Sequence, residues 1–95
     1  MKKKIAILGS TGSIGKTLLN IIEKDKKNIQ IVLLTAHKNY KTLIKQAKKF
    51  QVKNLIITDK KSFNLIKKKY LNSKIKILIL LNVIIQFLKK KLIIL

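Results

Sequence analysis

Cysteine, proline, arginine and tryptophan are all missing from these 95 residues. Without cysteine there is no disulfide framework, no thiolate metal site and no thiol nucleophile, and the redox compartment stays open on that count. Without arginine there is no planar fork of the kind that evolved phosphate-reading surfaces use for bidentate contacts. Acidic residues are nearly absent too: Glu23, Asp25 and Asp59 stand against 23 lysines, for a net charge of +20. Glu23 and Asp25, two apart on a helix, point to different faces, so no convergent metal site is evident. His37 is the lone histidine and has no neighbouring acid with which to form a triad or relay. Long apolar runs are missing as well. The uncharged segment Ile77–Leu88 has 12 residues, where a membrane-spanning helix needs ~20; no membrane span is expected. Behind Met1-Lys-Lys-Lys4 the apolar stretch is only Ile5–Leu8, where an export signal needs ~7–15 residues. A cytoplasmic location is therefore the expectation.

What is present suffices for one small core. Apolar residues make up 47% of the chain, which excludes whole-chain disorder and allows one small domain or part of a larger one. A charge of +20 normally points to nucleic acid or an anionic membrane. Here it comes with 18 Ile, 15 Leu and no arginine, a profile of drift toward A/T-rich codons and of a solvated lysine coat. A lysine-rich polyanion binder remains the alternative.

The periodicity alternates between two templates. Lys3–Leu8, Ile29–Thr35 and Asn54–Thr58 are short apolar runs that read as buried strands. Between them Ile14, Leu18, Ile21 and Ile22, then Tyr40, Leu43, Ile44 and Ala47, then Phe63, Ile66 and Tyr70 fall at helical spacing. Asn39 and Asp59 stand where N-caps of the second and third helices belong. A weak strand near Lys74–Ile77, a helix over about Leu78–Lys91 and a last apolar run Leu92–Leu95 complete the order. Such alternation predicts an α/β fold, a partial Rossmann-like parallel sheet of βαβ units.

One motif carries chemistry. The first strand runs directly into Gly9-Ser-Thr-Gly12-Ser-Ile-Gly15 and then a helix. Glycines at this turn let backbone approach a ligand, and the free N–H groups at the positive end of the helix attract a pyrophosphate. The plainer alternative is a tight turn that merely needs glycine. After the second strand comes Thr35-Ala-His-Lys-Asn39, without the acid that accepts from an NAD ribose. His37 and Lys38 can face a 2′-phosphate instead, which predicts NADP; a solvated lysine is the bland reading. Gly15-Lys16-Thr17 also imitates the tail of a P-loop, with Asp59 as its metal-binding acid. The first glycine fails, since Ser10 stands five residues before Gly15 and Gly9 is one residue too early to cradle phosphates.

Lys4–Gly15, with Thr35–Asn39 some 20 residues on, resembles the amino terminus of 1-deoxy-D-xylulose 5-phosphate reductoisomerases. The strong match covers Lys4–Asn39, and the order of elements fits to about Ile77. The resemblance implies an NADPH-dependent oxidoreductase of the non-mevalonate isoprenoid pathway. That enzyme rearranges 1-deoxy-D-xylulose 5-phosphate and reduces the product to 2-C-methyl-D-erythritol 4-phosphate, assisted by Mg²⁺ or Mn²⁺ and usually as a homodimer. It places NADPH contacts on the Gly9–Gly15 loop, at Thr11, Gly12, Ser13 and Ile14 beside the pyrophosphate, and on His37, Lys38 and Asn39 near the adenosine end. The family often has glycine where His37 stands. Its catalytic, metal and substrate-phosphate residues have no counterpart among these 95, so no catalytic or metal residue is assigned. The expectation is a fragment, by frameshift or gene decay, holding about half of an NADPH domain across residues 1–95. Such a piece is expected to fold poorly and to be inactive alone.

Overall fold

The computed structural model describes residues 2–78 and 93–95. Its elements run β1 (Lys3–Ile7), α1 (Ser13–Glu23), β2 (Ile29–Ala36), α2 (Tyr40–Phe50), β3 (Asn54–Ile57), α3 (Lys60–Ile66), β4 (Lys76–Leu78) and β5 (Ile93–Ile94). All strand pairs are parallel, in the order β4-β3-β2-β1-β5. The α/β class and the parallel Rossmann-like sheet are thus as the sequence implies. The fourth strand lies slightly later than expected and includes Leu78; the remainder of the helix expected over Leu78–Lys91 lies outside the described residues.

Parallel strands covered on both faces read as continuous apolar runs, because neither side of the pleat meets water. Ile5 and Ile7 of β1, Leu34 and Ala36 of β2, and Leu55 and Ile57 of β3 join one cluster with residues from all three helices. Ala6, Leu33 and Ile56 are their neighbours on the opposite face and are buried as well. Ile7, Leu34, Leu55 and Ile57 are fully buried, each stabilising the fold by about 1.5–3 kcal/mol relative to an exposed side chain. The register shifts between Ile5 and Ala6, whose partners are Ile31 and Leu33. Val32 is the extra residue of that bulge, and its carbonyl accepts from Asn54 Nδ2 at 3.3 Å.

Both expected caps are present. Asn39 accepts from Thr42 N at 3.3 Å and Asp59 from Ser62 N at 3.0 Å. The buried face of α2, Leu43, Ile44 and Ala47, is the expected one. That of α1 is so only in part: Ile22 is buried as expected and Leu18 is half-buried, but Gly15 and Leu19 are buried with Ile22, whereas Ile14 and Ile21 are 80% and 60% exposed. The helix is rotated by one position, about 100°, from the stripe its apolar residues trace, because its first turn is pressed against backbone. A Cβ at Gly15 would lie 2.5 Å from Ser10 Cα and 2.6 Å from Gly9 O. Only glycine fits there, so Gly15 fixes which side of α1 faces inward.

Candidate functional site

The side on which successive strands are added switches at β1, with all strands still parallel. Strands β2, β3 and β4 build away from it on one side, and β5 returns to the other. In open α/β sheets ligands bind beyond the carboxyl ends of the strands at such a switch point. The Gly9–Gly15 loop leaves β1 at this place. Leu8 N donates to Leu95 O and Leu95 N to Ala6 O, both at 2.9 Å, so the end of β5 stands beside the loop. A cleft of about 460 Å³ opens there between Leu8, Gly9 and Leu95 on one side and Gly12, Ile14 and Leu18 on the other.

The three glycines of the loop differ in what holds them. Gly9 has φ +68°, the left-handed region that costs an L-residue about 1–2 kcal/mol, and it turns the chain out of β1. Gly15 is required by the close approach already described. Gly12 has an ordinary φ of −77°, and a Cβ on it would meet only Gly9 O at 3.6 Å. The fold makes no demand for glycine at this position. Gly12 is the N-cap of α1 and brings no side chain to cap it, so the N–H groups of the first turn, which have no partner within a helix, are left for a ligand. Ser13 and Ile14 are exposed at this end and Thr11 is half-buried. Together these form a helix terminus at which backbone donors and the helix dipole point the same way, the arrangement that attracts an anion.

The loop's inner side is fully engaged. Gly9 N donates to Thr35 Oγ1 at 2.8 Å and Ser10 N to Thr35 O at 2.9 Å. Ser10, wholly buried, donates its hydroxyl to Gln46 Oε1 at 2.8 Å, and Gln46 Nε2 donates back to Ser10 O at 2.9 Å. Sequence reading missed Thr35, Ser10 and Gln46. A signal existed for the last: in Lys45-Gln-Ala-Lys-Lys49 it is the single uncharged polar residue, next to the buried Ala47.

The second expected cluster follows β2, at the same end of the sheet. His37, Lys38 and Asn39 are all exposed. His37 Nδ1 and Thr58 Oγ1 share a hydrogen bond of 2.7 Å, and Asp59 N donates to His37 O at 3.1 Å. Asn39 Oδ1 is committed to capping α2, which leaves its Nδ2 free to donate. The Asp59 carboxyl sits below its usual value. The Ser62 hydroxyl and then the Ser62 N–H hold the charged form, desolvation opposes them, and Lys38 and His37 add positive potential. Asp59 is therefore a helix cap and not a P-loop metal ligand, and the Thr17 hydroxyl is bonded to Ser13 O at 3.0 Å. The other carboxylates are also engaged, Glu23 by Lys49 at 3.1 Å and Asp25 by Asn28 at 2.8 Å. Among the described residues no group of acids and histidines could hold a metal, and no helix is long and apolar enough to cross a membrane.

A family model described as 1-deoxy-D-xylulose 5-phosphate reductoisomerase matches residues 5–93. The chain belongs to that family. A reductoisomerase of Pelagibacter ubique is 60% identical over 75 residues, covering 79% of this chain and 19% of the relative. One from Clostridium botulinum is 38% identical over 73 residues, 77% of this chain and 19% of its own. Among solved structures, the reductoisomerase from Zymomonas mobilis in complex with NADPH superposes with a TM-score of 0.78 at 29% identity, over 90% of this chain and 23% of that one. A reductoisomerase in complex with magnesium gives 0.69 at 25% identity, over 83% of this chain and 20% of that one. The chain thus spans about a fifth of the length of the curated reductoisomerases it matches.

Proposed function

We propose that this chain is the NADPH-binding part of a reductoisomerase that reduces rearranged 1-deoxy-D-xylulose 5-phosphate to 2-C-methyl-D-erythritol 4-phosphate. The observation that carries the reading is the uncapped start of α1 at the sheet's switch point, in a chain whose structural relative holds NADPH. The cofactor supplies hydride. The N–H groups of Ser13, Ile14 and Gly15, with Gly12 leaving the approach open and Thr11 beside it, would hold the pyrophosphate. His37, Lys38 and the Asn39 amide would meet the adenosine 2′-phosphate. The residues present do not fit a metal ion, because each carboxylate is engaged separately, and no step is routed through one. We assign the rearrangement chemistry and its Mg²⁺ or Mn²⁺ to sequence other than these 95 residues, which hold an incomplete nucleotide-binding domain inactive by itself. Homodimeric assembly and a cytoplasmic setting belong to the same proposal.

Isothermal titration tests the binding claim. Weak but saturable NADPH binding, diminished for NADH, is expected. No heat with either nucleotide at millimolar concentration would refute it, and NADPH turnover with substrate and Mn²⁺ would refute the assigned inactivity.

A further inference from the structure

We propose that Gln46, on α2, is a positioning residue for the glycine loop: it sets the loop's affinity for a nucleotide pyrophosphate without touching the ligand. The inference rests on the NADPH reading and extends it to a residue 36 positions from Ser10 of the loop.

Ser10 is the pivot. It lies between Gly9, which turns the chain out of β1, and the residues that meet the ligand. Each of its polar groups has one partner: N–H to Thr35 O, hydroxyl to Gln46 Oε1, carbonyl from Gln46 Nε2. The primary amide of Gln46 is the side chain that both donates and accepts within one planar group, and here both halves act on the same residue. Gly15 in turn packs on Ser10 Cα and C with no room for a Cβ. A shift of Ser10 therefore moves the first turn of α1, where the free N–H groups are. Anion capture by backbone N–H groups is sensitive to their aim, since such bonds weaken steeply as the angle closes. Among the described residues the loop's outward donors have no partner while its inward ones are bonded, and Gln46 and Thr35 hold that inner side. Substituting Gln46 leaves buried polar groups of Ser10 without partners, and the loop relaxes to satisfy them.

The test titrates NADPH and 2′-AMP into the 95-residue chain and into the variants Q46L and Q46E. Leucine keeps the volume and removes both hydrogen bonds. Glutamate keeps the shape and one acceptor but presents oxygen to the Ser10 carbonyl. NADPH affinity is expected to fall about fivefold or more in each, in Q46L from two neutral hydrogen bonds lost at the low end of their usual worth, and in Q46E from one lost with oxygen set against oxygen in its place. Affinity for 2′-AMP, which has no pyrophosphate, is expected to change by less than about twofold. Amide exchange gives a ligand-free readout: Gly9 and Ser10 exchange faster in Q46L, while β3 keeps its protection. Unchanged NADPH affinity in both variants overturns the inference, as does equal weakening of both ligands, which is the mark of general damage. Absence of NADPH binding in the unsubstituted chain overturns the cofactor reading itself, and with it the ligand assigned here.

Discussion

Two glycines in one loop predict opposite outcomes for the same substitution. Gly15→Ala drives a Cβ into the backbone of Gly9 and Ser10. Although alanine favours helix by about 1 kcal/mol, overpacking against backbone costs about 1–3 kcal/mol and wins, so the melting temperature falls. Gly12→Ala meets only an ordinary van der Waals contact and costs no more than about 1 kcal/mol, the usual N-cap preference for glycine over alanine. It places a methyl group at the open helix end and weakens NADPH. Thermal melts and titrations on the two variants check this crossing pattern; a destabilised Gly12→Ala protein with intact binding contradicts it. The glycine string was legible because its constraints are local: a left-handed φ at Gly9, an approach five residues away at Gly15. The Gln46 and Thr35 contacts were not, since no spacing rule joins residues 36 and 26 apart.

Helix α3 is short, and its cap titrates. The Asp59 carboxyl lies below its usual value in the folded chain, chiefly through the Ser62 hydroxyl at 2.7 Å and the Ser62 N–H. A folded value below the unfolded one means a contribution fully present above about pH 4 and lost as pH falls through the lowered folded value. Acidification is therefore expected to loosen α3 first, seen as early loss of Ser62 amide protection. Asp59→Asn, which caps without titrating, is expected to remove that early phase; an identical acid profile in the variant counts against the assignment. At this scale the sequence was largely readable, because β-branched runs and caps are set by near neighbours. The inward face of α1 was the exception. Ile14, Leu18 and Ile21 trace a helical stripe as regular as the one that is buried, and only the backbone pressed on Gly15 decides between them.

Charge governs the whole molecule. With 23 lysines and three acids, the ion pair between Lys49 and Glu23 is a minor offset, as exposed pairs are worth little. Self-repulsion is screened by added salt, since the Debye length shortens from about 30 Å at 0.01 M to about 8 Å at 0.15 M. The melting temperature is expected to rise over that range, and a flat dependence would show that repulsion does not limit stability. A nucleic acid gel shift at low salt that persists at 0.15 M would instead revive the polyanion reading of the lysine coat. The fold class was legible at this scale from the alternation of strands and helices, but not where β5 would pair. Two residues, Ile93 and Ile94, join β1 at Ile5 and Ala6, and no local pattern names that partner. The tie between loop and α2 also bears on synthesis. As the chain leaves the ribosome, Ser10 emerges 36 residues ahead of the side chain that holds it. Until then the loop lacks the Gln46 contacts that hold Ser10. On the proposed reading, a nucleotide site is expected only after α2 has docked on β2 and Leu95, which lines the same cleft, has joined β1.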